Sequence, residues 1–180
     1  MDERSVLLRS SALPSRLEHT GQPAIRCRQQ AECASAIIPR VQIYFSGSIA
    51  GGRDNLPIYQ HIVTRLKSLG HTVPSEHVAD PDVLAAERVV SPRDVYERDI
   101  AWLEACDAVI ADVSTPSLGV GYEIGCALQR GLPTLCVYRE GLFVSKMITG
   151  NPSPHLTVAT YRDASELDRH VDAFLSRIAA

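Results

Sequence analysis

The sequence predicts an α/β domain in which a parallel sheet is covered by helices on both faces. Three observations carry that prediction. Short β-rich runs alternate with segments of helical periodicity from residue 41 to the end of the chain. Runs such as "AVIADV" are apolar on both sides, as strands buried on two faces are. A Gly/Ser loop follows the first run and leads directly into a helix.

The elements follow in order. "VQIYF" (41 to 45) reads as the first strand, and "SGSIAGGRDN" as the loop after it. Leu56, Tyr59, Ile62, Val63, Leu66 and Leu69 recur at helical spacing, and Gly70 stops that helix. A short second strand is expected near "HTVPS". "SPRD" then supplies Ser91 as N-cap, Pro92 at the first helical position and Asp94 in the first turn, so a helix runs from about 92 to 105. "DAVIADV" is the third strand, 118 to 130 a helix closed by Gly131, "PTLCVY" the fourth strand and "HLTVATY" the fifth. The last helix has Asp163 or Ser165 near its cap and should bury Leu167, Val171, Phe174, Leu175 and Ile178. Together these make a single-domain, doubly wound, five-stranded parallel sheet of the Rossmann or flavodoxin kind, with strand order 2-1-3-4-5. That order sets the loops after strands one and three side by side, where ligands bind in open parallel sheets.

Composition narrows the function. The 180 residues suit one domain, and a 45% hydrophobic fraction with mixed charges fits a globular core. Residues 1 to 40 hold six Arg against four acids, which leaves 12 basic against 17 acidic residues in the remainder. No nucleic-acid footprint is indicated. Cys27, Cys33, Cys106, Cys126 and Cys136 form no C-x-x-C pair, which points to a reducing, cytoplasmic compartment and to no metal. No apolar stretch approaches the roughly 18 to 20 residues of a membrane span. Residues 1 to 39 lack periodicity and read as a disordered extension before a domain spanning 40 to 180; a transit peptide is the alternative, which Asp2 and Glu3 disfavour.

The chemistry-bearing residues gather on the predicted ligand edge. In "SGSIAGG" the glycines let backbone N–H groups approach an anion, Ser46 and Ser48 add hydroxyls, and a helix start follows. The spacing matches neither the dinucleotide fingerprint nor the P-loop, so a plain βα turn remains the other reading. Asp99 shares a helical face with Val95, Trp102, Leu103 and Cys106. Either it accepts hydrogen bonds from a loop or it is a functional acid at the crevice. Glu123 is expected in about the first turn of its helix, behind Gly119 and Gly121, where the dipole favours the ionised form; an ordinary first-turn acid is the alternative. Two carboxylates in different environments facing one cleft is the arrangement glycosidic-bond chemistry uses. His77 lies after the second strand on the same edge. No histidine pair has metal-ligand spacing, and no G-x-S-x-G elbow is present.

"IYFSGSIAGGRDN", "SEHV", "ERDIAWLEACDAVIADVSTPSLGVGYEIG" and "LFVSKMITG", in this order, closely resemble the 2'-deoxynucleoside 5'-phosphate N-hydrolases, relatives of the nucleoside 2-deoxyribosyltransferases. The likeness spans about residues 41 to 178. It implies hydrolysis of a deoxynucleoside monophosphate to free base and 2-deoxyribose 5-phosphate, without a cofactor. Glu123 matches the family's nucleophile, Asp99 the aspartate that handles protons and orientation, and Tyr44 the active-site tyrosine. Gly47, Ser48, Ile49, Gly51, Gly52, Arg53, Ser117 and Gly119 match positions about the 5'-phosphate, and His77 a histidine near the substrate. Ser145, with Met147 beside it, matches a serine that reaches the neighbouring subunit's phosphate site, so a homodimer is implied. One departure stands out: the family loop usually reads G-S-I-R-G-G, and here the Arg is Ala50. A lost charge-assisted contact costs about 1.5 to 3 kcal/mol. Arg53 compensates for it, or phosphate binds less tightly, or another 5' group is preferred. Three rival functions remain: base exchange by a deoxyribosyltransferase, a non-catalytic nucleotide-binding module, and a dinucleotide oxidoreductase with Glu76 as its ribose acid.

Overall fold

The computed structural model describes residues 40 to 179. The extension expected over residues 1 to 39 lies outside the described residues. The described chain runs β1 (Ile43–Ser46), α1 (Leu56–Ser68), a 3₁₀ turn (Glu76–Ala79), α2 (Val83–Glu87), α3 (Pro92–Ala105), β2 (Ala108–Asp112), α4 (Leu118–Gln129), β3 (Thr134–Arg139), α5 (Lys146–Thr149), β4 (Leu156–Tyr161) and α6 (Ala164–Ile178). The sheet is parallel throughout, in the order β1-β2-β3-β4.

The sheet has four strands where the sequence predicts five. The "HTVPS" segment makes only a single parallel bridge, Gln42 with Thr72. Pro74 cannot donate to a ladder. One residue on, the buried Ser75 hydroxyl takes over the pairing: it accepts from Phe45 N at 2.8 Å and donates to Phe45 O at 2.8 Å. The chain then turns away into the 3₁₀ segment. That segment, α2 and α5 are absent from the sequence reading, because pieces of four or five residues hold too few turns to display a period.

Helix boundaries follow local chemistry. Ser91 Oγ accepts from Asp94 N at 3.1 Å at the start of α3, and Asp163 Oδ1 accepts from Glu166 N at 2.8 Å at the start of α6. Gly131, at φ 72°, closes α4 in a conformation that side-chain-bearing residues avoid.

Two layers of core sandwich the sheet. On one face Ile43, Phe45, Ile110, Leu135 and Val137 pack against α1 and α6 through Ile62, Leu66, Leu167, Val171 and Phe174. On the other, α4 seats Val120 and Ile124 on Ala111, Val113 and Cys136, while Ala127 joins Leu103, Tyr44 and Val109. α3 covers the sheet less fully than its sequence stripe suggests. Leu103 and Cys106 are buried, but Val95, Asp99 and Trp102 are only half-buried. That end of α3 lies beside β1, where Trp102 packs with Tyr44. No helix among the described residues is long and apolar enough to cross a membrane.

Candidate active site

The site begins with the period of a strand. Residues two apart point to the same face, so β1 aims both Tyr44 and Ser46 towards α4. Glu123 meets them there. Tyr44 OH donates to Glu123 Oε1 at 3.0 Å, and Ser46 Oγ donates to Glu123 Oε2. Both carboxylate oxygens are thus held by hydroxyls from one strand.

The placement of Glu123 corrects the first-turn expectation. With Ser117 as N-cap, its hydroxyl accepting from Val120 N at 3.4 Å, α4 begins at Leu118 and Glu123 stands in its second turn. The dipole acts mainly on the first turn, so it does little for this carboxylate. Burial dominates instead and pushes Glu123 up to about 7. The Ser46 and Tyr44 hydrogen bonds oppose that rise, while the charges of Asp99 and Glu87 add to it. Tyr44 itself, 2% exposed, is driven far above the ordinary phenol range by burial and then by Glu123. It therefore remains a donor at any pH the protein meets.

Asp99 sits in a charged cluster beside this pair. Arg98 Nε donates to Asp99 Oδ1 at 2.8 Å, and Arg98 Nη2 donates to Glu87 Oε1 at 3.1 Å and to His77 Nε2 at 3.2 Å. The guanidinium lies over the Trp102 ring at 5.0 Å, and the His77 and Trp102 rings are 5.4 Å apart. Burial, then Arg98, lowers the His77 pKa, which keeps the imidazole neutral at pH 7. With Nε2 accepting from Arg98, the proton belongs on Nδ1, which is buried and has no partner. Asp99, His77, Tyr44 and Glu123 thus share one region.

The glycine loop packs against the loop that precedes α4. A Cβ on Gly51 would stand 2.6 Å from Pro116 O and 2.8 Å from Ser48 Oγ, so only glycine allows the two loops to touch. A Cβ on Gly47 would stand 3.0 Å from the Tyr59 ring, whose hydroxyl accepts from Ser48 N at 3.1 Å. Gly52 adopts φ 132°. Ile49 leans on the core and Ala50 is exposed. Ser48 Oγ is buried without a partner. Arg53, one of the alternatives for making up the missing loop cation, donates to the carbonyls of Ser48 at 3.2 Å, Val78 at 2.8 Å and Asp80 at 2.8 Å. It braces the loop against the 3₁₀ turn.

Gly121 leaves open space beside α4, while a Cβ on Gly119 would stand 3.9 Å from Ser117 Oγ. Ser117 and Ser145 share a cavity of about 510 Å³ with Gly121, Phe143 and Met147. Glu123, Tyr44 and Asp99 do not line it. Ser145 caps α5 by accepting from Met147 N at 3.3 Å, and the rim carries Leu118, Phe143 and Met147 at 96%, 81% and 80% exposure. This cavity is mostly apolar, and the Glu123 carboxylate lies outside its lining.

Two buried polar positions at this edge escape the sequence reading. Ser46 is grouped there with the anion loop, although its spacing from Tyr44 already marks a shared face. Asp112 is passed over inside "AVIADV", although an acid in an apolar strand is itself a signal. Its carboxylate is fully buried and accepts from Tyr161 OH at 2.9 Å, Ser114 N at 3.1 Å, Ser114 Oγ at 3.2 Å and Asn55 Nδ2 at 3.3 Å. Among the described residues no group of three or more His, Cys, Asp or Glu could hold a metal ion.

Comparison with known proteins gives this geometry a lineage. A Methanosarcina mazei protein, provisionally named 2'-deoxynucleoside 5'-phosphate N-hydrolase 1, is 39% identical over 150 residues, covering 83% of this chain and 93% of its own. The 5-hydroxymethyl-dUMP N-hydrolase of Rattus norvegicus is 38% identical over 160 residues, covering 84% and 93%. Among solved structures, a CMP N-glycosidase of Clostridium botulinum aligns with TM-score 0.56 at 19% identity, covering 74% of this chain and 98% of that one. A 2-deoxyribosyltransferase of Bacillus psychrosaccharolyticus aligns with TM-score 0.55 at 22% identity, covering 74% and 95%. The family model described as Nucleoside 2-deoxyribosyltransferase matches residues 43–151. With that match over more than half its length and these relatives along most of it, the chain belongs to the nucleoside 2-deoxyribosyltransferase family.

Proposed function

We propose that this protein hydrolyses the N-glycosidic bond of 2'-deoxynucleoside 5'-monophosphates, releasing the free base and 2-deoxyribose 5-phosphate. The observation that carries the reading is Glu123, a crevice carboxylate gripped at both oxygens by β1 hydroxyls and poised near neutrality. It stands in a chain akin to proteins named for N-hydrolysis of such nucleotides.

The reaction takes two displacements at one carbon. The ionised Glu123 attacks C1' as the C1'–N bond breaks. The bonding electrons leave with the base, which gains a proton relayed by Asp99. Water then attacks C1' of the glycosyl-enzyme and passes a proton to Asp99, replacing the one given to the base, as the C1'–O bond to Glu123 breaks and restores its carboxylate. Retention of configuration follows from the two inversions. A 2-deoxyribosyl group lacks the electron-withdrawing 2'-hydroxyl, so its oxocarbenium-like transition state is easier to reach. Arg98 orients Asp99, and His77 is held beside them by the same guanidinium.

The 5'-phosphate is held by neutral donors: the unpartnered Ser48 hydroxyl, Ser117, and N–H groups of the glycine loop from Gly47 to Gly52 and around Gly119. With Ala50 lacking a charge and Arg53 engaged on carbonyls, the anchor is weaker than a cationic one. In a homodimer the partner subunit's Ser145 completes it. The exposed Leu118, Phe143 and Met147 around Ser145 suit burial against a second copy. The unpaired Cys106, Cys126 and Cys136 suit a cytoplasmic setting.

Base release from a panel of ribo- and deoxyribonucleotides and their nucleosides tests the proposal. Release from deoxynucleotides that vanishes in Glu123→Ala supports it. Exchange of an added free base into nucleotide would make the protein a transferase. Silence across the panel, with nucleotide binding intact in both proteins, would make it a binding module.

A further inference from the structure

We infer that Ser46 is a positioning residue for Glu123, presenting the carboxylate to the sugar carbon through a hydrogen bond to Oε2. The inference rests on the proposed role of Glu123 as nucleophile. Three observations lead to it. Ser46 ends β1 with 1% of its surface exposed, a place where an unpaired hydroxyl would be costly. Its Oγ donates to Glu123 Oε2, while Tyr44, two residues back on the same face, takes Oε1. The two donors project from one rigid strand that pairs with β2 through Ser46 itself, opposite Ala111. A carboxylate held at both oxygens from one strand cannot rotate about its terminal bond without losing a partner, so the lone pair that reaches the substrate is set before the substrate arrives.

The two donors are not equivalent. Tyr44 is long and aromatic, and its ring packs with Leu103 and Val109 as part of the core. Ser46 is short and contributes little beyond its hydroxyl, so its removal leaves the packing in place and tests the hydrogen bond alone. The ionisable groups facing Glu123 are Tyr44 from β1, Asp99 from α3 and Glu87 from α2, with Arg98 paired to both acids. The acids and burial all favour a protonated Glu123. Among these influences the hydroxyls of Ser46 and Tyr44 favour the charged form that attack requires.

The test compares Ser46→Ala and Ser46→Cys with the parent on two readouts. The first is the pH profile of kcat and kcat/KM for deoxynucleotide hydrolysis. The second is the titration of Glu123 itself, followed by carboxyl-carbon NMR without substrate. Loss of a hydrogen bond to a charged acceptor is expected to move the Glu123 midpoint in Ser46→Ala upward by about one to two pH units. Turnover at pH 7 should fall about 10- to 100-fold, with KM changed less than about threefold, and should recover in part as pH rises. Ser46→Cys, a near-isosteric weaker donor, should lie between. An unmoved Glu123 midpoint in Ser46→Ala overturns the inference, even if turnover falls, because the residue would then act only through packing. Should the parent release base from no nucleotide, the proposed function fails, while the NMR midpoint still decides whether Ser46 governs Glu123.

Discussion

Two carboxylates lie at the C-terminal edge of this sheet, and burial pushes both up, yet their surroundings differ in kind. Asp112, at the end of β2, is sealed from solvent and receives four hydrogen bonds, from Tyr161, Asn55 and twice from Ser114. A carboxylate offers about four lone-pair sites, so Asp112 has none to spare. Those bonds tie the start of α1, the loop after β2 and the end of β4 to a single point. Ser114 extends the knot to β3 by accepting from Arg139 N at 3.0 Å. Glu123, on α4, receives two hydrogen bonds, both from β1 hydroxyls, and stays half-buried. Desolvation raises the basicity of both, but saturation makes Asp112 a fastener, while the open coordination of Glu123 leaves lone pairs for a reaction.

The sharpest test of that contrast is Glu123→Gln. Turnover should fall about 10³-fold or more, since the amide is a poor nucleophile. Stability should change in the opposite sense. The folded carboxyl titrates near 7 against an ordinary value near 4.5, so folding disfavours its charged form. That penalty is absent below about pH 4, grows as pH rises through the interval up to 7, and is complete above it. The variant should therefore be more stable than the parent by about 2 to 3 kcal/mol at pH 8 and by much less at pH 5, as read by urea unfolding.

Asp112→Ala should do the reverse to stability. It strands Tyr161, Asn55 and Ser114, and a loss of about 3 kcal/mol is expected in the urea midpoint. Asp112→Asn should cost roughly half as much, with turnover retained in proportion to folded protein. Full stability with lost turnover in Asp112→Asn would break the comparison and move Asp112 into the chemistry.

Tyr44→Phe removes one of the two donors to Glu123. A drop of about 10- to 100-fold in kcat is expected, with the acid limb of the profile displaced to higher pH, because the bond favours the ionised carboxylate. An unchanged profile would mean that the hydroxyl serves packing alone.

Gly51→Ala acts between the two regions, where the glycine loop meets Pro116 O. Forcing these loops apart should raise KM for the nucleotide about 10-fold while kcat changes little, since the anchor moves and the carboxylate does not. The smallest expected effect is that of Tyr161→Phe, which removes one of four donors to Asp112. A loss of about 1 kcal/mol in stability, with KM unaltered, would confirm that the knot is redundant and structural.

Much of this was legible in the chain. Hydrophobic period and capping chemistry place β1, α1, α3, β2, α4, β3, β4 and α6, because each is decided within a few residues: "SPRD" carries its own N-cap and first-turn chemistry, and Gly131 ends a helix through its own backbone freedom. The fifth strand failed because its pairing was decided by Ser75, whose hydroxyl replaces a backbone bond to a residue 30 positions away. The site divides along the same line. Glu123 was visible as an acid behind glycines and Asp99 as an acid in an apolar helical stripe, while Tyr44 stood out only through the family resemblance. The commitment of Arg53 to carbonyls, the pairing of Ser46 with Glu123 and the saturation of Asp112 were not.

By itself, then, the sequence determined where the longer helices and the four paired strands lie, that the sheet is parallel, and which residue types reach its C-terminal edge, because propensity, period and caps are local properties. Only the tertiary structure decided which of two acids is sealed and which is open, and therefore which keeps lone pairs to spare. That outcome depends on how many donors converge on each oxygen and on how much water remains, and both are set by segments brought together from distant parts of the chain.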